Sequence, residues 1–303
     1  MATDPKPRLT ARDFAPEVLS LFDRYVHGLI DRRGFLDGAA RFAVGGVTAA
    51  ALLESLNPKF AQAQQVAPND GRIKGERVEF ESPRGYAKVR GYLVRPANPT
   101  GASSLPTVLV VHENRGLNPH IEDVTRRLAL ANFIAFAPDA LTPLGGYPGD
   151  EDKARELFAK LDAAKTLEDF VAAAAWLRGV QGASGKLGAV GFCWGGDMCN
   201  LLATRVPELA AAVPFYGIAP PLEAVPLIKA QLLLFFAEND PRVNASWPAY
   251  ETALKTARVR YEAFTYPGTQ HGFNNDTTPR YDADAAKQAW QRTVTFFERT
   301  LRG

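Results

Sequence analysis

The sequence is poor in cysteine and histidine, and it has no long run of one character. Only two cysteines, Cys193 and Cys199, occur among 303 residues. Lying six positions apart with no second pair, they exclude a disulfide scaffold and a four-cysteine zinc site. The N-terminal uncharged run, residues 43–53, is 11 residues long, well short of the roughly 20 that a bilayer needs, so no membrane span is expected. No dense Lys/Arg run occurs, and 35 basic against 33 acidic side chains leave a net charge of +2. A phosphate-binding footprint is therefore missing, and nucleic acid is not an expected partner. No glycine-rich loop precedes a helix in the context a nucleotide needs, and His112 and His120 have no partner at zinc-ligand spacing, so neither a cofactor nor a metal is expected. What is present is 46% hydrophobic, 22% charged and 10% aromatic residues, the composition of a globular protein. The length suits one large α/β domain with an appendage.

The appendage is residues 1–67, and Pro68-Asn69-Asp70-Gly71 opens the body, 68–303. Asp31-Arg32-Arg33-Gly34-Phe35-Leu36, the uncharged run and Ala61-Gln62-Ala63 resemble a twin-arginine export leader cut before Gln64. Against this, residues 1–36 carry six basic and five acidic side chains. Phe14, Val18, Leu21, Phe22 and Tyr25 recur at helical spacing, which predicts a helical extension packed on the body. The expected residence is the cytoplasm, with a periplasmic or exported protein as the alternative.

From Gly71 onward, strand-like and helix-like stretches alternate, which predicts a mainly parallel sheet with helices on both faces. Residues 77–81 and 88–94 read as an opening antiparallel pair. The apolar runs at 107–112, 133–137, 187–192, 211–215 and 232–237 read as buried parallel strands. Helical patterns fall at 121–131, 166–179, 247–256 and 283–301. There is no internal repeat.

The chemistry concentrates after the run 187–192. Gly191-Phe192-Cys193-Trp194-Gly195 matches a G-x-nucleophile-x-G elbow, in which glycines let strand and helix close on a strained nucleophile. The helix start would favour a thiolate and an oxyanion. Such elbows take an acid and then a histidine from later strands. His27, His112 and His120 all precede Cys193, so His271, in the segment 267–273, is the candidate base. Asp240 ends the strand run 232–237 and would orient the imidazole, with Glu238 as fallback. The alternative readings are a buried inert cysteine, a loop histidine and a turn-starting Asp before Pro241.

His112-Glu113-Asn114-Arg115-Gly116-Leu117, the cysteine elbow, Asp240 after its strand and His271-Gly272-Phe273 together resemble the dienelactone hydrolase (carboxymethylenebutenolidase) family, from about Glu76 to the C-terminus. The nearest subgroup is bacterial and carries a helical N-terminal extension. The resemblance implies an α/β-hydrolase fold and a small-molecule lactone or ester substrate. Cys193 would be nucleophile, His271 base and later acid, and Asp240 the orienting carboxylate. Glu113 would hold the resting thiol neutral, and the Asn114 and Trp194 N–H groups would form the oxyanion hole. Where family members place substrate-binding arginines, this chain has Ala140-Leu141-Thr142-Pro143 and Asn274-Asn275. Arg115, Arg242 and Arg280 are the cations available as replacements, Tyr216, Trp194 and Phe273 the aromatics available to line a pocket. A broader carboxylesterase, an amide hydrolase on the same triad, or a binding protein with a dead site are the alternatives. Oligomeric state is not legible.

Overall fold

The computed structural model describes residues 8–43, 46–101 and 104–303. Eight strands build one sheet: β1 (Ile73–Ser82), β2 (Ala87–Pro96), β3 (Leu105–Val111), β4 (Ile134–Pro138), β5 (Ala183–Phe192), β6 (Leu209–Phe215), β7 (Gln231–Asn239) and β8 (Tyr261–Gln270). Their order is β1-β2-β4-β3-β5-β6-β7-β8. The expected antiparallel pair, β1 with β2, forms the edge, β2 runs antiparallel to β4, and every other pairing is parallel. Every residue of β3 and β4 is buried, as continuous apolar runs covered on both faces require. The β8 strand was not expected from the sequence. It is an edge strand whose residues are mostly exposed or half-buried, so it lacks the apolar run that marks its neighbours.

The helices are α1 (Pro16–Val26), α2 (Arg32–Ala39), α3 (Ala49–Leu56), α4 (Phe60–Ala63), α5 (Pro119–Leu130), α6 (Glu151–Phe158), α7 (Ala163–Arg178), α8 (Trp194–Arg205), α9 (Pro241–Asn244), α10 (Trp247–Thr256) and α11 (Ala283–Arg302). One core packs Ile121, Val124 and Leu128 of α5 with Phe296 and Phe297 of α11. The other, on the opposite sheet face, packs Phe170 of α7, Leu202 of α8 and Tyr250 of α10.

The extension has its own small core. Val18, Phe22 and Tyr25, three of the five residues in the expected stripe, are buried on α1 against Phe35 of α2 and Leu53 and Leu56 of α3. Asp31 caps α2 by accepting the Gly34 N–H at 2.7 Å, satisfying a donor that the helix itself cannot. The segment bearing the paired arginines is thus helical here, and Arg32 Nη1 donates to Asp152 of α6 at 2.9 Å. Among the described residues, no helix is long and apolar enough to cross a membrane. Phe35 is completely buried, so Phe35→Ala is expected to cost about 3–5 kcal/mol, read as a lowered urea midpoint.

The C-terminal end of α1 is fastened to the body. Its last carbonyl, on Val26, accepts from Asn114 Nδ2 at 2.8 Å and from Arg115 Nη1 at 3.2 Å. Arg155 of α6 donates to the Tyr25 carbonyl at 2.6 Å and lies over the Tyr25 ring. These donors take up carbonyls that have no partner inside the helix, and they fix the position of the next residue, His27.

Candidate active site

Cys193 stands between β5 and α8 with φ 57° and ψ −119°, a left-handed backbone that strains a residue with a Cβ. The surrounding glycines are required by contact. A Cβ on Gly191 would lie 1.9 Å from the Gly195 oxygen, and one on Gly195 would lie 2.3 Å from the Val111 oxygen. The sulfur therefore sits at the start of a 12-residue helix, where free N–H groups and the helix dipole favour negative charge. The second cysteine, Cys199, is wholly enclosed inside α8, and burial pushes its thiol up.

His271 follows β8 and Asp240 follows β7. His271 Nδ1 lies 2.5 Å from Asp240 Oδ2, both residues being buried. The Asp240 carboxylate is also fixed by the Val243 N–H of α9 at 3.3 Å. Glu238, the fallback acid, is exposed and accepts the Gly268 N–H at 2.7 Å, so Asp240 alone orients this imidazole. His271 Nε2 is buried and has no hydrogen-bond partner among the described residues.

The sulfur has a neighbour that the chain-order argument passed over. His27, just beyond α1, places Nε2 3.4 Å from Cys193 Sγ. Its Nδ1 lies 2.7 Å from the Asp23 carbonyl and 3.3 Å from the Asp23 carboxylate. Arg242 Nη2 lies 2.9 Å from His27 Nε2. The His27 and His271 rings meet edge to face, 4.7 Å between centroids. Two imidazole–carboxylate pairs thus converge on the same thiol. The expectation that His271 is the only imidazole available is corrected: position in the chain does not limit what the extension brings back. The one signal in the sequence was that His27 follows the apolar stripe by two residues, which locates a helix end but not what it faces.

Burial raises the Cys193 thiol, but the charges of His271 and then His27, with the His27 hydrogen bond, outweigh it and bring the thiol down to about 5. Burial lowers His271, yet the facing thiolate and then the Asp240 hydrogen bond lift it to about 10. His27 is raised against its own desolvation by the same thiolate and by Asp23. Asp23 is lowered against burial by the His27 hydrogen bond and charge, with help from Arg280. A depressed thiol is ionised above its pKa, so the rate of Cys193 alkylation by iodoacetamide is expected to rise through about pH 5 and to level off above it. A midpoint at the ordinary thiol value of about 8.5 contradicts this.

The remaining sequence candidates divide. Glu113 Oε2 accepts from Asn275 Nδ2 at 3.0 Å, whereas the sulfur's hydrogen-bond partner is His27. Trp194 is the first residue of α8, so its N–H has no partner inside the helix. Arg115 borders the smaller cavity at Cys193, but it is buried, and its guanidinium holds the Val26 and Asn114 carbonyls and lies 3.7 Å from Glu151. Arg280 reaches Asp23 at 3.4 Å. Tyr216 and Phe273 are corrected to core residues. Both are fully buried and border neither cavity at the sulfur, the Tyr216 ring packing 4.9 Å from that of His271.

Two cavities meet Cys193. One of about 40 Å³ is bordered by Glu113, Cys193, His27, His271 and Asn275. The other, of about 260 Å³, is bordered by His27, Asn114, Phe158, Cys193, Trp194 and Arg242. His27, Cys193 and His271 also bring three ligand atoms within 4.8 Å of one another, a donor set that suits zinc.

The dienelactone hydrolase family model matches residues 89–301, and a YqhI-like model matches residues 6–44. A protein of Escherichia coli (strain K12) provisionally named as a carboxymethylenebutenolidase is 33% identical over 247 residues, covering 76% of this chain and 89% of the other. A hydrolase fragment, YghX, provisionally so named in the same strain, is 53% identical over 116 residues, covering 38% of this chain and 97% of the fragment. Among solved structures, a protein from Klebsiella pneumoniae provisionally described as a dienelactone hydrolase superimposes with a TM-score of 0.63 at 30% identity, covering 74% of this chain and 98% of that one.

Proposed function

The chain belongs to the dienelactone hydrolase family of α/β-hydrolases, and on that premise we propose that it hydrolyses small esters or lactones through the thiol of Cys193. His271, held by Asp240, takes the thiol proton and remains as the counter-ion of the thiolate. The sulfur attacks the carbonyl carbon, and the π pair moves onto oxygen, where the N–H groups of Trp194 and Asn114 would receive the charge. Collapse breaks the bond to the leaving oxygen and gives a thioester, which water hydrolyses. Glu113 lies on the wall of the smaller cavity, where Oε2 accepts from Asn275 Nδ2.

The observation that carries this reading is the strained Cys193 at a helix start together with the His271–Asp240 contact of 2.5 Å. The volume beside the sulfur, about 260 Å³, favours a small substrate, since sites for drug-sized ligands run to roughly 300–1,000 Å³. A panel of aryl esters, lactones and peptides on the purified protein, before and after thiol alkylation, tests it. The proposal expects ester or lactone turnover that alkylation removes. Turnover of none of the panel, or turnover indifferent to alkylation, overturns it.

A further inference from the structure

Resting on that reading, we propose that His27 is a second catalytic imidazole, supplied by the N-terminal extension, which protonates the leaving oxygen and then activates the hydrolytic water. Three observations lead there. Its Nε2 is within hydrogen-bond reach of the sulfur, at 3.4 Å. Its other nitrogen faces the Asp23 carbonyl at 2.7 Å, which fixes the proton on Nδ1 in the neutral ring and leaves the Nε2 lone pair facing the sulfur and the Arg242 Nη2 donor, 2.9 Å away. His27 also borders both cavities at Cys193, whereas His271 borders only the smaller of the two. The smaller cavity, about 40 Å³, admits water, which needs roughly 10–15 Å³, but not an ester. A substrate must use the larger one, and among the described residues the imidazole on its wall is that of His27.

The two imidazoles then divide the protons. The thiol proton stays on His271, paired with the thiolate and with Asp240. After the sulfur has added to the carbonyl carbon, the bond to the leaving oxygen breaks with its electron pair on that oxygen, which takes the proton from protonated His27. Neutral His27 next draws a proton from water, whose oxygen adds to the thioester carbon. The carbon–sulfur bond breaks, the electron pair returns to sulfur as thiolate facing protonated His271, and His27 holds its proton again. Ester and water have become acid and alcohol, and no group of the protein has changed.

The test is His27→Gln assayed on a nitrophenyl ester and on an alkyl ester of the same acid. The nitrophenolate leaves without a proton, whereas the alkoxide needs one. The proposal expects His27→Gln to release one equivalent of nitrophenol per site and then to stall with an acyl group on Cys193. It also expects alkyl ester turnover to fall by about 10²–10⁴-fold, the usual contribution of a general acid or base. A residue that merely braces the fold lowers both substrates alike and gives no burst. A folded His27→Gln protein with wild-type turnover on both esters, or with neither burst nor turnover, overturns the proposal. Should that variant fail to fold, Asp23→Asn keeps the ring and is expected to show a nitrophenol burst ahead of a slowed steady rate, together with a lowered alkyl ester rate; losses on both esters without a burst overturn it. Failure of the hydrolase reading itself looks different: the wild-type protein then hydrolyses neither ester.

Discussion

Cys193→Ala is expected to bring ester turnover down by about 10⁶-fold, the scale on which removing a hydrolase nucleophile acts. The reason is local. The attacking atom is lost, while the N–H groups at the start of α8 and the two histidines stay in place, so only what the oxyanion site contributes is left. Cys193→Ser is expected to recover little of the loss. Facing charges bring the sulfur to about 5, but an alkyl hydroxyl starts so far above a thiol that the same histidines cannot ionise it. Rates of nitrophenyl ester hydrolysis, with the melting temperature as a control for folding, check both variants. Turnover persisting in the alanine variant would remove Cys193 from the reaction.

Asp240→Asn is expected to lower kcat/KM by about 10⁴-fold, as when the orienting carboxylate of a triad becomes an amide. The Asp240 carboxylate accepts from His271 Nδ1 at 2.5 Å and is buried to 2% exposure. An amide there presents either a weaker acceptor or an N–H, and the N–H forces the imidazole into the tautomer that cannot take a proton at Nε2. The change also reaches the sulfur. Losing the carboxylate lowers His271, a less protonated His271 stabilises the thiolate less, and the alkylation midpoint of Cys193 is expected to move upward from about 5. A kcat/KM within tenfold of wild type, or an unmoved midpoint, contradicts the role given to Asp240.

The parts legible in the sequence are those fixed by local rules. Glycines around Cys193, an apolar run before it and a helical pattern after it allow one backbone solution, and the structure has it. The central strands β3 to β7 follow from apolar runs because both sheet faces are covered. Only the edge strand β8, without such a run, escaped. Tyr216, Phe273 and Arg115 share a feature the sequence hides: residue type does not say which way a side chain turns. The aromatics turned into the core, and the arginine turned to the end of α1. His27 was missed because its contact joins positions 166 residues apart, and nothing in the sequence near it marks the partner. The same contact bears on the paired arginines at 32 and 33. Cleavage before Gln64 would remove His27 and Asp23 from the site, so a leader cut there and a catalytic His27 are mutually exclusive.

The central claim is that an acyl group passes through the sulfur of Cys193, and intact mass spectrometry of the protein quenched in acid during turnover of a nitrophenyl ester tests it most directly. The account predicts a species heavier by one acyl group, with the added mass on the peptide containing Cys193 and released by hydroxylamine. Steady turnover with no acylated protein in either the wild type or His27→Gln, or an acyl group found on any other residue, contradicts it.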